Sequence, residues 1–269
     1  MIYYARAVLT LANIHVGSVP ERPAVEKRSM LDNVFMYEDA SAADVYDLIY
    51  QDRKDYGAEA ATVAALIRAR RPDAASILDV ACGTGAHLEE FARHFRRAEG
   101  VDLSESMSAL ARRRLPGVPL HRGDMRSFRI DARFDAVVCM FSSIGYLSTT
   151  EDLDRALSSM SRHLTPGGVV VVEPWWTPET FADRYVSGHV VTRDGRTVAR
   201  VSHSTRDGDV TRMEIHYLVA DGEGIRHHSE IDRLTLYTAE QYEDAFVRAG
   251  AKVEYVPNAG PGYYVGVWP

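Results

Sequence analysis

Apolar and polar positions follow two different rhythms along this chain. Residues 77–81, 134–140 and 169–173 are short, nearly continuous apolar runs, and 98–103 and 119–122 read as further short strands. Runs of that length and character suit strands covered on both faces. Between them, residues 57–71, 87–95, 104–114 and 150–164 carry apolar positions at helical spacing. Ser104 and Thr150 stand where N-caps are expected, and Pro72 and Pro166-Gly167-Gly168 where the chain should stop or turn. Strands alternating with helices predict an α/β fold around a mostly parallel sheet. From 189 to 238 the period falls to two, with Asp194-Gly195, Asp207-Gly208 and Asp221-Gly222 as punctuation. That stretch reads as an antiparallel meander. Thr238 and Gln241 then have capping-box spacing, Gly250 ends the helix, and 252–256 with 263–268 make a closing strand pair.

The start of the chain has neither rhythm. Residues 8–16 are modestly apolar behind Arg6, a poor match to a secretory leader, and 20–28 read as polar linker. Met30 and Met36 are alternative starts. The expected division is an extension over 1–35, a ligand-binding core with an N-terminal lid over 36–183, a β insertion for substrate binding or dimerisation over 184–237, and the last helix with its strand pair over 238–269. Residues 37–56 are rich in Tyr and Asp, either a helix packing its rings on the core or a lid over a ligand.

Composition narrows the class without naming it. The chain has 269 residues, a formal net charge of −7 and two cysteines. The negative balance argues against nucleic acid as partner. No run reaches the length of a membrane span. Two cysteines at the ends of apolar runs read as buried thiols in a reduced, cytoplasmic setting.

The candidate chemistry centres on Asp79-Val80-Ala81-Cys82-Gly83-Thr84-Gly85, a strand running into a glycine turn and then a helix. Glycine lets a ligand lie against backbone. A dinucleotide fingerprint needs a small residue where Leu88 stands, and no Lys-Ser/Thr pair makes a phosphate loop. The remaining pattern, D-x-A-C-G-x-G, resembles motif I of class I S-adenosylmethionine-dependent methyltransferases. Asp102, about 20 residues on, is placed to accept from ribose hydroxyls, or else serves as a helix N-terminal charge. Asp124 and Met125 follow the third strand, beside an adenine or simply in a polar loop. Ser142 and Ser143 lack a nucleophile elbow. Trp175 and Trp176 at a strand's carboxyl end suggest a substrate wall. Arg200, Ser202 and Ser204 share strand parity; Arg200, His203 and Arg206 are candidate diphosphate donors, or part of a solvated face.

Residues 37–269 further resemble the TDP-amino-sugar N,N-dimethyltransferases of macrolide and related antibiotic pathways. The matching pieces are DVYDLIY at 44–50, LDVACGTG at 78–85, GDMRSF at 123–128, MFSSIGYL at 140–147, VVVEPWWTPETFAD at 170–183 and DGRTVARVSHS at 194–204. The resemblance implies a seven-stranded, Rossmann-like methyltransferase sheet with an antiparallel insertion before the last helix. It also implies S-adenosylmethionine without a metal, a TDP-sugar bearing a free amine, and a homodimer. Donor contacts fall on Tyr56, Ala81, Asp102, Asp124, Met125 and Met140, joined by Gly83, Gly85 and Met107 around the glycine turn. Sugar-nucleotide contacts fall on Tyr50, Trp175, Arg200, Ser202 and His203, with Trp176 beside them. Tyr50 and Tyr146 are the candidate catalytic residues, taking a proton through water or only positioning the nitrogen. Two departures stand out: some relatives carry His where this chain has Tyr146, and a Gly-Arg pair where it reads Asn258-Ala259-Gly260-Pro261-Gly262. The competing readings are an N-methyltransferase for another small amine, a nucleotide-binding oxidoreductase, and a non-catalytic binding module.

Overall fold

The computed structural model describes residues 40–269; the expected extension over 1–35, its leader-like run and the alternative starts lie outside them. Helices α1 (Ala40–Arg53) and α2 (Tyr56–Arg70) lead into β1 (Ser76–Val80), α3 (Ala86–His94), β2 (Arg97–Asp102), α4 (Glu105–Arg114), β3 (Leu120–Arg122) and β4 (Phe134–Cys139). A 3-10 turn at Ser143–Tyr146 precedes α5 (Thr150–Ser161) and β5 (Leu164–Val172). Strands β6 (Tyr185–Arg193), β7 (Arg196–Asp207), β8 (Val210–Asp221) and β9 (Gly224–Thr235) follow, then α6 (Ala239–Arg248), β10 (Lys252–Val256) and β11 (Tyr263–Val267).

Two sheets result. The first runs β10-β11-β5-β4-β1-β2-β3, parallel except for β11, which is antiparallel to both neighbours. Strand order reverses between β1 and β4, so a crevice opens at their carboxyl ends, where ligands gather in such sheets. The second sheet is a pure antiparallel ladder, β6-β7-β8-β9. Its first hairpin turns on Asp194-Gly195, both at positive φ (53° and 73°), as a two-residue turn matching strand twist requires.

Two local expectations change. Thr149, not Thr150, caps α5: its hydroxyl accepts from the amide of Asp152, and the helix ends at Ser161. Pro166-Gly167-Gly168 does not turn the chain. It lies within β5 as a bulge, with the pairing jumping from Phe134 opposite Leu164 to Ala136 opposite Val169. Gly167 takes φ 73° and absorbs the extra residues.

The sheets meet through α1. Ile49, fully buried, packs with Val191, Val198, Ile215, Tyr217 and Val219 on one face of the second sheet. Each such aliphatic side chain contributes about 1.5–3 kcal/mol by leaving water. On its other side α1 is tied to the first sheet's loops. Asp47 accepts from Arg114 at 2.7 and 2.8 Å and from the Thr84 hydroxyl at 2.7 Å. The helix therefore spans the crevice mouth and fixes one sheet over the other.

Candidate functional site

The carboxyl ends of β1, β2 and β4, the inner face of the second sheet and α1 enclose a cavity of about 570 Å³. That is the size of a small-molecule or cofactor site. Tyr50, Tyr56, Ala81, Gly83, Asp102, Met107, Met125, Met140, Tyr146, Trp175, Trp176, Arg200 and Ser202, all singled out in the sequence, line it together.

One wall is made by turns. After β1 the backbone goes left-handed at Ala81 (φ 59°) and Gly83 (φ 55°). The Gly83 amide then donates to Asp102 Oδ2 at 2.7 Å, and the Ser104 amide to Oδ1 at 2.8 Å. These bonds aim the Asp102 carboxylate across the glycine turn. Burial pushes its pKa up, while the amides of Ser104, Gly83 and Leu103 pull it back. Asp79 is less exposed to water than Asp102. It is 1% exposed and lines the cavity, and neither carboxylate oxygen has a hydrogen-bond partner. Burial, then the charge of Asp102, hold it well above the ordinary carboxylate range. An unpartnered buried carboxylate facing a cavity calls for a cation or a donor in that space.

Beyond β4 the backbone is left-handed again at Phe141 (φ 54°) and Ser142 (φ 57°). The Phe141 amide donates to Glu173 Oε2 at 2.7 Å, and the Ser142 hydroxyl to the Pro174 carbonyl at 2.7 Å. Ser142 is thus spent on holding this corner. The corner brings Phe141 edge-on to Tyr50, ring centroids 5.1 Å apart, and Tyr146 into the cavity. Trp175 is fixed by its indole N–H on the Thr211 hydroxyl at 3.1 Å.

The opposite wall is the second sheet. Arg200, Ser202 and Ser204 of β7 face inward with Met213 of β8 and Asp232 of β9. Arg200 is 3% exposed; it donates to the Ser202 hydroxyl at 3.0 Å and lies 5.9 Å from the Tyr50 ring centre, and its Nε has no partner.

Three expected contacts fall outside the cavity. His203 follows Ser202 in the same strand, so pleat alternation turns it to the outer, solvent face. Gly85 starts α3 instead; a Cβ there would lie 3.2 Å from Ala111 and Leu115, so its role is close helix packing. The Asp124 carboxylate is taken by Arg126, Nε at 3.0 Å, and only its neighbours Gly123 and Met125 reach the cavity. Arg206 also drops out as a phosphate donor, because it clamps the Gly208 and Pro178 carbonyls at 2.8 Å. Asp232 and Arg53, conversely, line the cavity without having been picked out. Asp232 was findable only by carrying inner-face parity across two hairpins. Among the described residues no cluster of His, Cys, Asp or Glu is arranged to hold a metal.

The known proteins that resemble this chain agree with that geometry. A family model described as methyltransferase domain matches residues 77–168. A dTDP-3-amino-3,4,6-trideoxy-alpha-D-glucopyranose N,N-dimethyltransferase of Streptomyces venezuelae is 58% identical, covering 86% of this chain and 99% of that protein. A dTDP-4-amino-2,3,4,6-tetradeoxy-D-glucose N,N-dimethyltransferase of Saccharopolyspora spinosa is 45% identical over 84% and 92% of the two chains. Among solved structures, SAM-bound CalS10, an amino pentose methyltransferase from Micromonospora echinaspora involved in calicheamicin biosynthesis, superposes with a TM-score of 0.78 at 53% identity, over 84% of this chain and 97% of that one. The turn-built wall, the sheet order and these relatives together place the chain in the family of S-adenosylmethionine-dependent dTDP-amino-sugar N,N-dimethyltransferases.

Proposed function

We propose that this protein methylates the amino group of a dTDP-linked amino deoxysugar, twice in succession. The observation that carries the reading is a single cavity whose two walls bear opposite demands. The turn-built wall offers the unpartnered carboxylate of Asp79 and the aimed carboxylate of Asp102; the second sheet offers the buried guanidinium of Arg200.

The residues fit S-adenosylmethionine. Asp79 would meet its ammonium, Asp102 its ribose hydroxyls, and Met107, Met125 and Met140 would pack its adenosyl part. Bound there, it supplies an electrophilic methyl group for direct displacement. The protein's work is placement. The aromatic corner of Tyr50, Phe141, Tyr146 and Trp175 shapes an apolar passage between the walls. Holding an amine in line there can supply roughly 7–11 kcal/mol of the barrier. Arg200, with Ser202 and Ser204 beside it, supports a diphosphate grip, since a guanidinium pairs well with phosphate oxygens.

The greater identity to the 3-amino relative than to the 4-amino one, 58% against 45%, favours an amine at C3. The deciding assay gives the protein dTDP-3-amino and dTDP-4-amino sugars with S-adenosylmethionine and weighs the products by mass spectrometry. A mass gain of two methyls on the 3-amino sugar is expected; no gain on either sugar ends the reading.

A homodimer completes the proposal. The outer face of the second sheet carries Val186, Val190, Val201, Leu218 and Ile225, each at least half exposed. Exposed apolar side chains grouped on one sheet face, interleaved with His203, Glu214, His216 and His227, support an interface there. Cys82 and Cys139 are both free and buried, in keeping with a reduced cytoplasmic setting. Among the described residues no helix is long and apolar enough to cross a membrane.

A further inference from the structure

Methylation of an amine requires its lone pair, yet an alkyl ammonium is the prevailing form near neutral pH. Some group must take that proton, and most polar groups around the cavity are committed. Asp79 and Asp102 face the donor's side. The Ser142 hydroxyl is bonded to Pro174, and Glu173 to the Phe141 amide. Burial raises the Tyr50 hydroxyl's pKa, which makes its phenolate a minor species.

Asp232 is different. It lies on the inner face of β9 opposite Met213, is 4% exposed, and lines the cavity with Oδ1 free of any hydrogen-bond partner. Tyr146, in the turn after β4, is hydrogen-bonded to the same carboxyl group. Two residues earlier on the same face stands Glu230, whose own pKa is raised by burial. It accepts from the Tyr217 hydroxyl at 2.9 Å, and His228 Nε2 lies 3.8 Å away. Arg200 faces both carboxyls from β7, and Tyr50 faces Asp232 from α1.

From this geometry, and resting on the sugar-amine reading above, we infer that Asp232 is the proton acceptor for the substrate. One N–H bond of the sugar ammonium breaks, the proton passes to Asp232 Oδ1, and the electron pair stays on nitrogen. That pair forms the new N–C bond while the C–S pair leaves with sulfur. The methylated nitrogen emerges with a positive charge, and Asp232 returns its proton to water before the second round repeats the step. Burial, then the charge of Glu230, push Asp232 up to about 7. An acceptor poised near the working pH is the most effective.

The experiment compares the full-length protein with Asp232→Asn, which keeps the shape and removes the basicity. The native enzyme should lose activity below about pH 7 and be flat above it. Asp232→Asn should fall about 100-fold at pH 7 and recover as pH rises and solution supplies neutral amine. Its affinities for dTDP and S-adenosylhomocysteine should stay as in the native protein. A second readout needs no turnover: the nitrogen of a 15N-labelled amino sugar bound with S-adenosylhomocysteine should titrate at higher pH in the native protein than in Asp232→Asn, because the adjacent carboxylate favours the ammonium. Tyr146→Phe should move the native acid limb upward, because the carboxylate loses a stabilising bond. A deficit that is constant with pH, or an amine titration that Asp232→Asn leaves unmoved, overturns the inference. Native protein that methylates neither sugar defeats the parent reading instead, and the two failures are told apart in the same assay.

Discussion

The two walls of the cavity are built on different principles. The first sheet's wall is local: Asp79, Ala81, Gly83, Asp102 and Met107 fall within one strand-turn-helix-strand-helix passage, and backbone amides aim the key carboxylate. The second sheet's wall is assembled from four strands, and its groups are aimed by pleat and register together with side-chain bonds such as that from Arg200 to Ser202. The first is preorganised by hydrogen bonds that exist without any ligand. Both store unspent polarity: two partnerless oxygens on Asp79 in the first, a partnerless Nε on Arg200 and a partnerless Oδ1 on Asp232 in the second. On the proposed reading one wall would serve a constant ligand, and the other is where a family could change its substrate with few substitutions.

If the walls are separable, damage to one should not reach the other. Asp102→Ala removes the anchor of the Gly83 amide and, on the proposed reading, the charge-assisted hydrogen bonds to the donor's ribose. Bonds to charged groups are worth about 1.5–3 kcal/mol each, so donor affinity should weaken on the order of 100-fold. Calorimetry with S-adenosylhomocysteine reads that loss, and titration with dTDP should be unchanged. Weakening of both ligands together would mean the walls fold as one unit. Arg200→Ala is the mirror test. It should raise the sugar-nucleotide KM about 30-fold, the scale of truncating a buried charged partner, and spare S-adenosylhomocysteine. A normal KM in that variant removes Arg200 from the phosphate grip.

This contrast also explains what the chain disclosed in advance. The parallel core and the glycine-turn residues were legible because each signal is contiguous: an apolar run, a left-handed turn, a helix start. Strand identity in the second sheet was legible too, from its Asp-Gly turns. Facing was legible in part: the parity shared by Arg200, Ser202 and Ser204 puts all three on the cavity side, and the same parity turns His203, named through the resemblance, to the opposite side. Asp232 escaped notice because its value depends on Tyr146 and Arg200, 86 and 32 residues away in sequence. Asp124 misled for a third reason, since the neighbouring Arg126 captures its carboxylate.

A smaller effect concerns stability. Asp79 is held well above its ordinary pKa by burial and by Asp102. The native state thus keeps a proton that the unfolded chain has already lost, and stability falls as pH rises from the ordinary carboxylate range toward the native value. Asp79→Asn removes that cost. The ligand-free variant should melt above the native protein by about 3 °C at pH 8, with the gap closing toward pH 4. It should also bind S-adenosylmethionine far more weakly. Melting that falls in the variant at every pH would show Asp79 to be a satisfied structural group, and the turn-built wall would lose its claim to a waiting ammonium.

The last contrast lies within the second sheet itself, between its two faces. The inner face holds Arg200, Ser202 and Asp232; the outer face presents Val186, Val190, Val201, Leu218 and Ile225 to solvent. Since alternate residues of the same strands supply both, one ladder can serve substrate on one side and assembly on the other. Leu218→Glu places a charge amid the outer apolar face without touching the inner one. Sedimentation equilibrium should show native dimers and Leu218→Glu monomers, with turnover at saturating substrate essentially unchanged. A native protein that is monomeric at micromolar concentration removes the interface. A monomeric variant that also loses its grip on dTDP would be more instructive, because it would show that the register aiming Arg200 is set by the partner sheet and not by α1 alone.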